Sequence, residues 1–137
     1  MNGGIEVTHD GGDRFGIAIR RHVLSVDQPV GDGGDDTAPT PTELFIASLA
    51  SCVAFYVRRF LVRHGLPTDE LSVTAEFNMA GRPSRVGEID LRVHVADEVP
   101  SERRDALLAV ASHCTVQNTL EQPPQVNIHV ATSPSLA

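Results

Sequence analysis

The segment from Thr40 to Gly65 constrains the fold more than any other. Thr40-Pro41-Thr42-Glu43 has the form of a capping box. Thr40 is the N-cap, Pro41 takes the first helical position, and Glu43 stands three residues after the cap. Gly65 can cap the far end and Pro67 forbids continuation. The pattern predicts a helix to about His64, about 24 residues and about 36 Å long. Leu44–Val57 is an uncharged run of 14 residues, too short to cross a bilayer. The first half of the helix is apolar on every side, so it must be surrounded by protein. Arg58, Arg59, Arg63 and His64 in the last turns suit the negative end of the helix dipole.

Strand patterns flank this helix. Ile5 and Val7 alternate, Gly11-Gly12-Asp13 turns, and Phe15, Ile17 and Ile19 alternate again. Arg20-Arg21 marks a second turn before Val23-Leu24-Ser25-Val26. Pro29–Pro39 reads as a loop. Its Gly31, Gly33 and Gly34 do not make a phosphate cradle: no GK[ST] follows, and Asp32, Asp35 and Asp36 would repel phosphate. Beyond the helix, Leu71, Val73, Ala75, Phe77 and Met79 alternate. Gly81-Arg82-Pro83-Ser84 turns the chain, and Ile89, Leu91, Val93 and Val95 alternate back, which predicts a hairpin. Ser101 reads as the cap of a second helix. Leu107, Val110, Ala111 and Cys114 then fall on one buried face. After Pro123-Pro124, the residues Val126, Ile128 and Val130 predict a last strand. Strands, helix, hairpin, helix, strand is an α+β order. The length fits one domain over residues 1–137, with the tail 133–137 expected to fray.

The totals narrow the function classes. A chain of 137 residues buries roughly two-thirds of its unfolded surface and needs no metal or disulfide to fold. Trp is absent and aromatics are few, so the core must be aliphatic. The net charge of −7 argues against nucleic acid or an anionic membrane as partner. All 11 basic residues are arginine, which excludes Schiff-base lysine chemistry and a P-loop lysine. No charged-then-apolar leader opens the sequence, and the expectation is a soluble cytoplasmic protein. In a reducing compartment its 2 cysteines would be free or cycling thiols.

Those cysteines, Cys52 and Cys114, carry the chemical question. No metal site is expected, because the 6 histidines form no HxxxH pair and there is no CxxC. A Cys-His-Asp hydrolase is disfavoured, since no base stands near Cys52 and mid-helix is a poor place for a hydrolytic nucleophile. Thiol redox chemistry remains, alongside two unrelated core thiols. Mid-helix, Cys52 gains nothing from a helix N-terminus and would need charge partners. Arg59 shares its face two turns on, and others, such as Arg14, would have to come from the strands. On the residues alone a buried core thiol is the simpler reading of Cys52.

Resemblance shifts that balance. Ala38-Pro39-Thr40-Pro41-Thr42-Glu43-Leu44 through Ala50-Ser51-Cys52, with Arg58-Arg59, resembles the OsmC/Ohr family of osmotically inducible and organic-hydroperoxide-resistance proteins. So do Gly87-Glu88-Ile89-Asp90-Leu91-Arg92 and His113-Cys114-Thr115-Val116-Gln117-Asn118-Thr119-Leu120. The resemblance implies an OsmC-like intertwined homodimer, with two long central helices wrapped by antiparallel sheets. It implies a thiol peroxidase acting in oxidative stress defence, with no bound cofactor and an external dithiol as reductant. Cys52 would be the peroxidatic thiol and Cys114 the resolving one. Arg14, after the Gly11-Gly12 pair, is the best match to the activating arginine, ahead of Arg20 and Arg21. The family's glutamate position, ten residues before the first cysteine, is Thr42 here, and Glu43 is the nearest acid. Nine residues of helix are about 180° of rotation and about 13.5 Å of rise, so Glu43 cannot meet its own Cys52. It could meet that of a partner chain if two helices cross, and otherwise it is half of a capping box, the simpler reading. Thr115 stands where proline is common, and Ala38 where glycine is. These departures place the chain nearer the OsmC-like branch than the dedicated reductases. The rival reading is a non-enzymatic dimer that binds a small apolar ligand in its inter-subunit pocket.

Overall fold

A computed structural model of the chain describes residues 3–134. Strands β1 (Ile5–His9), β2 (Phe15–Ile19) and β3 (His22–Val26) form an antiparallel sheet in the order β1-β2-β3. Gly11 and Gly12, at φ 107° and 54°, make the first turn, a conformation that favours glycine. A loop with one 3-10 turn at Val30–Asp32 leads into helix α1 (Pro41–Arg63). Then come the hairpin β4 (Ser72–Ala80) and β5 (Arg85–His94), and helices α2 (Ser101–Ala111) and α3 (Thr115–Glu121). This is the expected α+β class, and the order follows the expectation as far as α2. Of the tail expected to fray from Ser133, residues 135–137 lie outside the described part.

Helix α1 starts as its sequence demands. The Thr40 side chain accepts from the Glu43 N–H at 3.1 Å, and Glu43 Oε1 accepts from the Thr40 N–H at 2.9 Å. Gly65, at φ 63°, follows its last turn. Its inner face, Leu49, Val53, Val57, Phe60 and Leu61, is buried with Val99, Leu107, Ala111 and Cys114 in one aliphatic core. The β4–β5 hairpin lays Val73, Ile89, Leu91 and Val93 against that core. The hairpin register shifts at Asn78/Met79. Gly87 sits there, where a Cβ would come within 2.8 Å of the Ala80 Cβ.

Four expectations change. The outer face of α1 is not surrounded within the chain: Phe45, Phe55 and Val62 are exposed. By length and composition α1 is apolar enough to cross a membrane, although its uncharged core alone is too short; 33% of its best window is buried here, on the face that packs the core. Helix α2 is capped at Pro100 rather than Ser101, with no side-chain cap, and it ends at Ala111. Cys114 therefore does not close α2; it is the N-cap of α3. Finally, Val126–Val130 is not a strand, and Val126, Ile128 and Val130 are 73%, 87% and 91% exposed. An alternating segment becomes a strand only beside another edge, and residues 126–130 pair with none of the described strands.

Candidate functional site

Cys52 sits midway along α1, half-buried, at the edge of the core. Cys114 is fully buried. The chain turns between α2 and α3 and re-enters with Cys114 as a cap, its Sγ accepting the Gln117 N–H at 3.4 Å. That turn brings the Cys114 thiol beside the Cys52 thiol. Burial pushes the Cys114 pKa up, and the neighbouring Cys52 thiol pushes it further. Both cysteines are free.

A second contact ties the same elements. Tyr56 and Thr115 share a hydrogen bond of 2.8 Å between their hydroxyls. Tyr56 is four residues after Cys52, hence on its side of the helix, and Thr115 follows Cys114. The latch spans α1 and α3 next to the thiol pair. Sequence reasoning noted Thr115 only as a departure and passed over Tyr56. The i,i+4 spacing from Cys52 was the available signal.

The charged candidates stand elsewhere in the chain. Arg14 donates from Nε to Asp10 Oδ2 at 3.0 Å, from Nη1 to Thr37 Oγ1 at 2.7 Å and from Nη2 to Ser25 Oγ at 3.3 Å. All three partners belong to the first sheet and its following loop. On the apolar face of that sheet, Val7, Phe15, Ile17 and Val26 line a cleft shared with Pro41 and Leu44 of α1, and Leu44 lies roughly 12 Å of helix rise before Cys52. Glu43 lies at the same end of the helix, exposed and engaged in the capping box. Arg20 and Arg21 are exposed in the β2–β3 turn. Arg59 stacks 4.8 Å above the Phe55 ring. One chain thus joins Cys52 to Cys114, while Arg14 is bonded within the first sheet and its loop and Glu43 within the cap of α1.

A cavity of about 640 Å³ opens between α1, β5 and the α2–α3 region, lined by Phe45, Leu49, Val53, Leu108 and Leu120 among others. Neither thiol lines it. Among the described residues no group of three or more His, Cys, Asp or Glu could hold a metal ion.

Comparison with known proteins now decides the family. A model of the OsmC-like proteins matches residues 33–129, from the loop before α1 past α3. The chain belongs to the OsmC-like family. Solved structures share its fold. A candidate osmotic stress induced and detoxification response protein from Psychrobacter arcticus superposes with a TM-score of 0.79 at 23% identity, covering 84% of this chain and 85% of that one. An organic hydroperoxide resistance protein from Elizabethkingia anophelis gives 0.71 at 22% identity, with 90% of each chain covered. An organic hydroperoxide resistance protein OsmC from Legionella pneumophila gives 0.61 at 19% identity, covering 88% of this chain and 89% of that one. At these identities the likeness concerns the fold. No curated protein matches the sequence.

Proposed function

We propose that this OsmC-like protein is a cytoplasmic, homodimeric thiol peroxidase that reduces organic hydroperoxides. The observation that carries the reading is the apposition of a half-buried Cys52 and a fully buried Cys114 across α1 and the start of α3. The Cys52 thiolate attacks the terminal oxygen of ROOH. The O–O bond breaks, RO⁻ leaves and takes a proton to become ROH, and Cys52 becomes a sulfenic acid. The Cys114 sulfur then attacks the sulfenic sulfur, an S–S bond forms, and the oxygen leaves as water. An external dithiol reduces the bridge by two exchanges and is itself oxidised to a disulfide. Cys114, held protonated by its burial, does not compete for peroxide while Cys52 is reduced. The apolar surroundings of Cys52 favour a hydrophobic ROOH over hydrogen peroxide. The names of the Legionella and Elizabethkingia relatives agree with this reading.

The dimer supplies the charges. Arg14 and Glu43 lie at one end of α1 and the thiols midway along it. Two such helices crossing in opposite directions would present the Arg14 and Glu43 of each chain to the Cys52 of the other. The arginine favours the thiolate and binds peroxide oxygen. The glutamate, whose capping box uses only Oε1, acts on that arginine with its other oxygen. Uncovered apolar groups on the first sheet, the outer face of α1 and Val126–Val130 support such an association.

Stopped-flow peroxide consumption tests the enzyme. Wild type should consume an alkyl hydroperoxide and Cys52→Ser should not; equal rates would sink the proposal. Peroxide treatment should remove two titratable thiols per chain, whereas a lasting sulfenate would take the resolving role from Cys114. A second reading, an apolar-ligand binder, draws on the cavity that contains neither thiol. It gains ground if Cys52 has an ordinary alkaline thiol pKa.

A further inference from the structure

Asp27 is the one charged side chain buried among the described residues, 2% exposed at the end of β3. A buried carboxylate is ordinarily answered by a cation. Here the cation stands one hydroxyl away. Asp27 Oδ2 accepts from Thr37 Oγ1 at 2.7 Å, and Thr37 Oγ1 accepts from Arg14 Nη1 at 2.7 Å. The direction of this relay is forced. A guanidinium only donates and an ionised carboxylate only accepts. The single hydroxyl proton must therefore point at Asp27, leaving an oxygen lone pair for Arg14.

The same carboxylate also shapes the loop. Asp27 Oδ1 accepts the Gln28 N–H at 2.8 Å and Oδ2 the Thr37 N–H at 3.0 Å. The Asp27 N–H reaches the Pro39 carbonyl at 3.1 Å, just before the cap of α1. Gly34 packs so closely inside this loop that a Cβ there would collide with the Gln28 carbonyl. Thr37 is thus held by its backbone and by its hydroxyl at once. With Asp10 on Nε and Ser25 on Nη2, the guanidinium is gripped from three directions, and among the described residues each terminal nitrogen keeps an unengaged N–H.

We propose that Thr37 and Asp27 are positioning residues for Arg14, orienting its two remaining N–H groups toward an anionic or peroxidic group. The inference rests on the reading of Arg14 as the activator of a partner's Cys52. The charged groups bearing on Arg14 from the surrounding elements are Asp10 in the first turn and Asp27 through Thr37; Asp13 lies close by, at Gly33. A purely structural role for the loop is the competing account. It predicts that the hydroxyl of Thr37 is dispensable while its N–H is not.

Thr37→Val separates the two, since it deletes the relay and keeps the N–H bond to Asp27. The measurements are the peroxide rate constant and the pH profile of Cys52 alkylation, read on the Cys52 peptide by mass spectrometry. Thr37→Val should react about tenfold more slowly, move the alkylation midpoint toward that of Arg14→Ala, and melt near wild type. Thr37→Ser should restore both readouts. Thr37→Ala repeats the test if valine does not fold. A slow Arg14→Ala beside a Thr37→Val at wild-type speed overturns the positioning role alone. An Arg14→Ala as fast as wild type overturns the role of Arg14 and the inference with it.

Discussion

Buried at the end of β3, the Asp27 carboxylate makes the fold sensitive to acid. Hydrogen bonds from the Thr37 hydroxyl, the Thr37 N–H and the Gln28 N–H hold its pKa at about 2, below the ordinary 3.8. Between these values the unfolded chain binds the proton more readily than the native one, so stability falls as pH falls. The contribution is complete above about pH 4 and fades toward pH 2. Asp27→Asn should therefore unfold at lower urea than wild type near neutrality, with the gap narrowing from about pH 4 downward. A gap that stays constant through this window would exclude linkage to Asp27. Cys114 has the opposite sense. Its thiol is pushed above the ordinary 9.0 by burial, so its contribution is present at neutral pH and is lost as pH rises past 9. Neither shift was legible in the sequence. Asp27 carries no pattern of its own in the sequence, because its donors lie on backbone that only the folded loop brings round.

At the scale of elements, what could be read was what is local. The start of α1 depends on four consecutive residues, and both reciprocal bonds of its capping box are present. The break between α2 and α3 could not be read the same way. Leu107, Val110, Ala111 and Cys114 keep helical spacing across it, so a continuous helix and a helix-turn-helix give one pattern. The Cys114 sulfur decides for the turn by capping α3 at the Gln117 N–H. Glu43 poses the sharper question, since capping and catalysis ask for different properties. Thr40→Ala should destabilise the fold by about 1 kcal/mol through loss of the cap. Glu43→Gln keeps a side chain that can complete the box but removes the charge. Its melting temperature should match wild type while its peroxide rate falls. A Glu43→Gln protein with both values unchanged would reduce Glu43 to a cap.

At the scale of the whole molecule, the exposed apolar surface is what the proposed homodimer would cover. An all-round apolar α1 calls for enclosure, yet Phe45, Phe55 and Val62 remain outside. Ile5 and Val7 on the first sheet are open as well, and Ile128 and Val130 have no neighbouring strand. Alternation told which residues want burial; it could not tell which chain buries them, because pairing across subunits has the same period as pairing within one. The groups proposed to be catalytic divide along the same line, thiols on one part of the chain and Arg14 with Glu43 on another. This division makes a test independent of any surface mutation. Cys52→Ser and Arg14→Ala chains, each inactive as a homodimer, are co-expressed with different tags and purified through both. If each site draws its thiols from one chain and its arginine from the other, the hybrid regains one complete site: Cys52 and Cys114 of the Arg14→Ala chain with Arg14 of the Cys52→Ser chain. Peroxide consumption should then return in the hybrid and be absent from both parents. If each chain instead assembled its own site, both sites of the hybrid would lack a component, and the doubly purified protein would stay as inactive as either parent.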